Sequence, residues 1–287
     1  MVKKTLTLMI NSTFYDMVAE YSCFINEVLP KLQEECLKHD IEINYRDVAF
    51  SVPRKEADKG IVLQDFRFID YDRTFFICFR AQKLGWRPNH MNIDGLTIDE
   101  YPELVGYIGN VSITELAIMH ALVPFDRYVD GVKCDLQPVK HSLFYFRNHG
   151  YENDLDDSIK PYYLNKTNGE LKSIQDIEVA KSKDLINEIK HAFDDNPDNH
   201  ARIFIRNYDA VWDKNLDGFE MFMDYVGKYS EIAENPLDDF VDIHREYLCT
   251  DEKGALSQLS HEGRPLGEVM YEDILNELKL EFPENFK

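Results

Sequence analysis

Three observations predict an α/β fold in which a parallel five-stranded sheet carries helices on both faces. Short apolar runs alternate with segments of helical periodicity about five times along the chain, the pattern of repeated strand–helix units. The run Thr74 to Phe79, TFFICF, is apolar without alternation, as expected of a strand covered on both faces. Leu8 to Asp16, LMINSTFYD, joins a buried strand directly to an amphipathic helix. Backbone N–H groups at such a junction point outward and can hold a phosphate or carboxylate, and the loop after the first strand lies where open α/β sheets bind ligands. Ser12 and Thr13 also suit a simpler role as helix caps.

The elements follow in order. Thr5 to Ile10 reads as the first strand. From Phe14 to Leu37, Met17, Tyr21, Phe24, Ile25, Val28, Leu29, Leu32 and Cys36 recur every three or four positions, one face of a long helix. Pro30 should kink that helix or end its first half. Ile41 to Val48 reads as the second strand, Ser51 to Lys59 as a charged loop and Gly60 to Asp70 as a helix. TFFICF is the third strand, and Val111 to Leu122 is the helix after it. Ser142 to Phe146 and Ala201 to Ile205 supply the fourth and fifth strands, with a helix at Ser182 to Phe193 between them. The right-handed crossover rule then predicts the strand order 2-1-3-4-5. The segments Trp86 to Val111 and Asn148 to Ser182 read as insertions. The expected division is an α/β domain over 1–235 and a helical C-terminal part over 236–287, including a helix at Tyr271 to Leu280.

Composition narrows the function. With 53 acidic against 32 basic residues the net charge is −21, which repels a polyphosphate backbone and argues against nucleic-acid binding. A small anion in a locally basic pocket is compatible with it. No segment approaches the ~18 apolar residues that span a bilayer, and the start is too short in apolar residues for a signal peptide. The expected location is the cytoplasm, with no membrane partner. The glycosylation-like tripeptides at Asn11, Asn110 and Asn165 carry no meaning there. The five cysteines have no CxxC spacing, so free thiols are expected rather than disulfides or a zinc site.

Phosphate-loop, dinucleotide, nucleophile-elbow and zinc-protease motifs are absent. Asp213, Asn215, Asp217, Gly218 and Asp224 fit a calcium-loop spacing, but the preceding segment reads as a strand and Glu220 stands where such a loop needs an apolar residue. No metal or cofactor is expected.

Four motifs carry a family resemblance: INSTFYDMVAEYSCFINEVLPKLQEEC, RDVAFSVPRKEADKG, TFFICFRAQKLGWRP and SITELAIMHAL. With looser matches at HSLFYFRN, ARIFIRNY and DYVGKY, they resemble the domain that precedes NACHT modules in NACHT–WD-repeat proteins and occurs in the telomerase-associated protein. That domain is a divergent relative of the TIR fold, and the likeness spans most of residues 5 to 230. The family pattern runs SSTFxDM, DLRWG, FFIxxxGxxYGWxP and SxTExE. This chain departs from it at Ala49 in place of Arg, Phe50 in place of Trp, and Ala117 in place of the second acidic residue.

The resemblance implies a flavodoxin-like, TIR-like sheet and a nucleotide N-glycosidic bond hydrolase acting on NAD, NADP or a purine nucleotide. Its catalytic group would be Glu115, on the helix after the third strand. A fixed carboxylate stabilises an oxocarbenium-like ribose, and neutral nicotinamide is a good leaving group. Ser12, Thr13 and Asp16 would line the phosphate loop, Arg80 would pair with phosphate, and Phe14, Phe50 and Trp86 would stack on a base. Each residue also has a packing or surface role open to it. Glu115 suits a solvated surface, Arg80 a strand-end ion pair, Trp86 strand-end packing, Phe14 a helix staple and Asp16 a helix N-terminus. TIR-like enzymes commonly complete their sites across subunits, which implies a homo-oligomer. The competing reading is a non-catalytic self-association or protein-interaction module, or a nucleotide sensor; Ala49 favours it.

Overall fold

The computed structural model describes residues 3–13, 15–47, 62–63, 66–70, 74–83, 85, 87–88, 90, 93–164, 175–195, 201–233 and 254–287. Its centre is one sheet in which β1 (Lys4–Ser12), β2 (Ile41–Asp47), β3 (Thr74–Arg80), β6 (His141–Arg147) and β7 (Arg202–Asp213) run parallel in the order β2-β1-β3-β6-β7. With the small hairpin β4 (Tyr128–Val129) and β5 (Val132–Lys133) set aside, this is the expected 2-1-3-4-5 order of a flavodoxin-like fold. β3 sits between β1 and β6, and Phe75, Phe76, Ile77, Cys78 and Phe79 are all buried, which is why TFFICF needs no polar alternation.

Among the described residues the sheet has seven strands rather than five. β8 (Ala255–His261) pairs antiparallel with β7, and β9 (Arg264–Pro265) pairs with β8. β7 runs to Asp213, well past the expected Ile205, because its outer half pairs with β8. The β8–β9 turn has two residues, Glu262 and Gly263, both at positive φ (50° and 78°), the hairpin geometry that suits strand twist. Asp130 and Gly131 (52° and 76°) make the same turn between β4 and β5. α8 (Leu266–Glu281) follows β9, and its Leu266, Met270, Ile274 and Leu278 enter the main core.

Side chains alternate across the sheet. On one face Leu6, Leu8, Ile10, Phe75, Ile77, Phe79, Leu143 and Tyr145 pack against α1 (Val18–Cys23), α2 (Leu29–Leu37), α7 (Gly218–Ala233) and α8. On the other, Met9, Phe76, Cys78, Phe144 and Phe146 pack against α4 (Ile113–Leu122) and α6 (Gln175–Asp194). The shorter α3 (Gly95–Glu100) and α5 (Lys160–Tyr163) lie in the two insertions. α6 begins seven residues before the expected Ser182, and α4 begins two after Val111.

The long helix is interrupted just before Pro30, as expected. Between α1 and α2 the chain widens into a π-helical turn over Phe24–Val28, where the Leu29 N–H donates to the Phe24 carbonyl. Pro30 then falls in the first turn of α2, where its missing N–H is tolerated.

Among the described residues, no helix is long and apolar enough to cross a membrane and no acidic, histidine and cysteine side chains group as metal ligands. Asp217, from the calcium-like spacing, instead accepts the Phe219 and Glu220 N–H groups at the start of α7. Cys23, Cys36, Cys78 and Cys134 are free thiols.

Candidate functional site at the carboxyl edge of the sheet

The expected site residues that are described converge on the carboxyl ends of β1 and β3, the edge at which open α/β sheets bind ligands. Strand parity divides them between the two faces. Ser12 continues the series Leu8 and Ile10 toward α1, and its Oγ lies 2.7 Å from both the Tyr21 hydroxyl and the Thr13 carbonyl. Arg80 continues the series Phe76 and Cys78 toward α4, where Glu115 sits. Phe14, Phe50 and Trp86, with the Ser51–Lys59 loop, lie outside the described residues.

The two faces are tied together at the edge. Asn11 Nδ2 donates to the Thr114 carbonyl at 3.1 Å, and Thr114 Oγ1 donates to the Ser12 carbonyl at 3.5 Å. The loop after β3 crosses the start of α4 so closely that a Cβ on Gly85 would stand 2.6 Å from Thr114 Oγ1. Helix α4 therefore begins directly beside the ends of β1 and β3.

Arg80 is fully buried, yet among the described residues none of its three guanidinium nitrogens has a hydrogen-bond partner. Among the described residues the acid facing it is Glu115, with Nη2 and Oε1 3.7 Å apart. A buried cation left this poorly paired is costly, and a hydrogen bond to a charged group would offset much of that. Glu115 is only 17% exposed, so it is no solvated surface acid. It closes a capping box on α4: Oε2 accepts from the Ser112 N–H (3.2 Å) and Ser112 Oγ (3.0 Å), while Ser112 Oγ accepts the Glu115 N–H (3.3 Å). One carboxylate oxygen holds the helix start, and the other faces Arg80.

On the α1 face the edge holds a second buried charge cluster. Arg147 Nη1, at the end of β6, donates to Glu20 Oε1 at 2.7 Å and to the Asp16 carbonyl at 2.8 Å. Its guanidinium stacks 4.6 Å over the Tyr151 ring. Tyr208 also donates to Glu20 Oε1, and Tyr151 donates to Gln82 Oε1. Asp16 receives the poorer share: Oδ2 stands 3.6 Å from Arg147 Nη2, and among the described residues neither oxygen has a hydrogen bond. Burial pushes its carboxyl up from 3.8 to about 6 against the pull of Arg147. Neither Ser12 nor Thr13 caps α1, whose N-cap position is Met17 without a side-chain cap.

Glu20, Gln82 and Arg147 were not among the expected site residues. The sequence does carry a signal for Arg147. β3, β6 and β7 each reach an apolar residue followed by Arg, at Phe79-Arg80, Phe146-Arg147 and Ile205-Arg206. Arg80 pairs in register with Phe146, so Arg80 and Arg147 point to opposite faces.

Similarity to known proteins spans much of this architecture. The similarity is to telomerase protein component 1. The rat protein is 21% identical over 246 residues, which cover 85% of this chain and 8% of that protein. The mouse protein is 23% identical over 168 residues, covering 57% of this chain and 6% of that protein. The chain thus spans less than a tenth of the length of the curated relatives it matches. No model of a known protein family, TIR and NACHT included, matches the chain, and no solved structure matches it.

Proposed function

We propose that this chain is a TIR-like nucleotide-binding domain that hydrolyses the N-glycosidic bond of NAD, NADP or a purine nucleotide. The observation that carries the reading is the buried, unpartnered Arg80 guanidinium beside Glu115 at the carboxyl edge of β3. A fully desolvated guanidinium with free donors matches a phosphate, which accepts two parallel hydrogen bonds from one Arg. With phosphate on Arg80, Glu115 stands next to the attached ribose. As the C1′–N bond breaks, the ribose gains positive charge, and the fixed carboxylate stabilises it. The base leaves with the electron pair of the C1′–N bond, and water adds to C1′; the proton lost by that water goes to solvent when neutral nicotinamide departs, and in net to the departing base when a purine does. The capping box holds the carboxylate in place beforehand, so little reorganisation is needed during the reaction.

Homo-oligomerisation and a cytoplasmic location go with this reading. The named relative is a telomerase component, which supports a place in a protein assembly. A net charge of −21 leaves direct nucleic-acid contact to other chains or segments.

The second reading is a non-catalytic interaction module. It is favoured by the same capping box, because Glu115 has a sufficient structural task in starting α4. Incubation of the purified protein with NAD, NADP, ATP and GTP, with chromatography of released bases, separates the two. Base release that falls on the order of 10²–10³ in Glu115→Gln supports the hydrolase. An inactive wild type across the panel, or an equally active variant, overturns the catalytic role and leaves the interaction module.

A further inference from the structure

We infer that the insertion after β6 sets the spacing between Arg80 and Glu115, with Gln82, Lys83 and Tyr151 as positioning residues. The inference rests on the nucleotide reading of that edge and names what steadies its two groups. β3 ends at Arg80, whose ladder partner is Phe146, and the chain then turns from the sheet to the start of α4. Gly85, five residues after Arg80, packs on the capping box itself: a Cβ there would stand 3.2 Å from Ser112 Cβ and 3.3 Å from Ser112 Oγ. Ser112 in turn holds Glu115 through its N–H and its hydroxyl. One short loop therefore links the guanidinium to the residue that fixes the carboxylate.

Ala81, Gln82, Lys83 and Gly85 belong to no strand or helix, so side chains must hold that loop. The insertion supplies the partners. The Tyr151 hydroxyl donates to Gln82 Oε1 at 2.6 Å, and Gln82 Nε2 donates to the Arg147 carbonyl at 3.5 Å. Gln82 is buried, and an amide bonded at both ends has one orientation open to it. The next residue, Lys83, donates from Nζ to the Pro161 carbonyl at 2.7 Å and to the Leu164 carbonyl at 3.1 Å. Its charge is thus spent on the main chain at the end of the insertion.

The insertion is anchored away from the site. Tyr151, Leu155 and Ile159 bury against Ala19 of α1, Ala210 and Trp212 of β7 and Leu256 of β8. Arg147 adds a 3.3 Å bond from Nη2 to the Tyr151 hydroxyl and stacks on its ring. The added edge strand β8 therefore steadies a segment that reaches the carboxyl edge and grips the loop beside Arg80. A phosphate on Arg80 and its ribose at Glu115 need those two groups at one separation. Any time the loop spends elsewhere lowers the apparent affinity in proportion.

The test uses ADP-ribose as the probe, because it keeps the pyrophosphate and ribose of NAD without the nicotinamide. Lys83→Met removes both carbonyl bonds and keeps the stem, while Tyr151→Phe removes the bond to Gln82 and changes no charge. A hydrogen bond to a charged group shifts an equilibrium by roughly tenfold or more. Calorimetry should therefore show Lys83→Met binding roughly tenfold more weakly than wild type. Tyr151→Phe should also bind more weakly, and Lys83→Arg, which still reaches the carbonyls with its donors, should bind as wild type does. Hydrogen exchange read by mass spectrometry needs no ligand. Residues 112–116 should exchange faster in Lys83→Met and Tyr151→Phe, although neither substitution lies in α4, and Lys83→Arg should restore the wild-type rate. Unchanged exchange at 112–116 in both variants overturns the proposal. So does unchanged affinity for ADP-ribose that the wild type binds, even where the variants melt earlier, because the grip is then structural only. Faster exchange at 112–116 in a protein that does not bind ADP-ribose sinks the nucleotide reading and leaves the link between insertion and capping box standing.

Discussion

Replacing Asp16 by Asn should shift stability in favour of the variant as pH rises from 4 to 7.5. Burial raises the Asp16 carboxyl from 3.8 to about 6, so the folded protein holds its proton more tightly than the unfolded chain does. The resulting stability is fully present below about pH 4 and is lost as pH rises through 6. A rise of about 2 units, at about 1.4 kcal/mol each, corresponds to about 3 kcal/mol between pH 4 and pH 7.5. Asn keeps the size of the protonated acid and has no charge to desolvate. Any penalty from placing an amide there is present at both pH values and cancels when the two are compared. Thermal melts of both proteins at pH 4 and 7.5 give that double difference. For a chain of this length about 3 kcal/mol corresponds to roughly 6–10 °C, appearing as a gain of Asp16→Asn over wild type that grows from pH 4 to pH 7.5. A Tm difference that is the same at both pH values would refute the reasoning, because the carboxyl would then ionise as easily folded as unfolded.

Arg80→Met should leave the melting temperature unchanged or raised, since it removes a buried charge with no hydrogen bond, while ADP-ribose binding disappears. Destabilisation by more than about 2 kcal/mol, with binding retained, would make Arg80 a structural residue. Gly85→Ala would set a Cβ 2.6 Å from Thr114 Oγ1, and forcing the loop off α4 should cost about 1–3 kcal/mol in a denaturant melt and weaken ADP-ribose binding; an unchanged midpoint and unchanged affinity would count against the close crossing. At the other end of the sheet, burial opposes the Glu277 charge, but hydrogen bonds from His141 and Arg202 outweigh it and hold the carboxyl below its ordinary 4.5. That stability is present above pH 4.5 and is lost as pH falls through the folded value, so Glu277→Gln should be less stable than wild type at pH 7, with the two curves converging in acid. Parallel curves down to pH 3 would show that the pair contributes nothing.

The parallel core was legible because its signals are local and repeated. TFFICF declared a doubly covered strand by its lack of alternation, and LMINSTFYD declared the junction after β1. The added edge was not read as strand, although Glu262-Gly263 and Asp130-Gly131 are hairpin dipeptides. Their flanking strands are short, two residues on at least one side, so no period-2 pattern of useful length accompanies them. Pro30 marked the interruption of the long helix, though not its form: the first half ends in a π-helical turn that sets Pro30 in the first turn of α2. At the site, single residues such as Arg80 and Glu115 could be placed on their elements. Their division from Ser12 and Asp16 by the sheet depends on strand parity at the last residue, which no motif records. The Arg147 cluster stayed hidden because its partners come from α1, β6, β7 and the loop after β3, and only tertiary packing brings them together.

The two buried arginines at this edge give each other meaning. Arg80 and Arg147 both end a central parallel strand, both follow a phenylalanine, and both are withdrawn from solvent. Around Arg147 the fold supplies Glu20, the Asp16 carbonyl and the Tyr151 hydroxyl, which is how a structural guanidinium is normally satisfied. Around Arg80 the described residues supply one carboxylate, at 3.7 Å, and that carboxylate is already engaged at the start of α4. If the α4 face required only a strand-end ion pair, the Glu115 side chain would gain by closing the remaining distance and accepting hydrogen bonds from Arg80 at both oxygens. It is held back instead by Ser112, whose backbone and hydroxyl bind Oε2. The capping box therefore holds the acid fixed 3.7 Å from Arg80, and under the proposed function the guanidinium donors it leaves unmet are the ones an anion would take. Ser112→Ala tests this directly. Loss of the cap should cost about 1 kcal/mol of stability. It should also free Glu115 to pair with Arg80 and weaken ADP-ribose binding beyond what that stability loss explains. A variant that melts earlier yet binds ADP-ribose as the wild type does would show that the capping box only starts the helix.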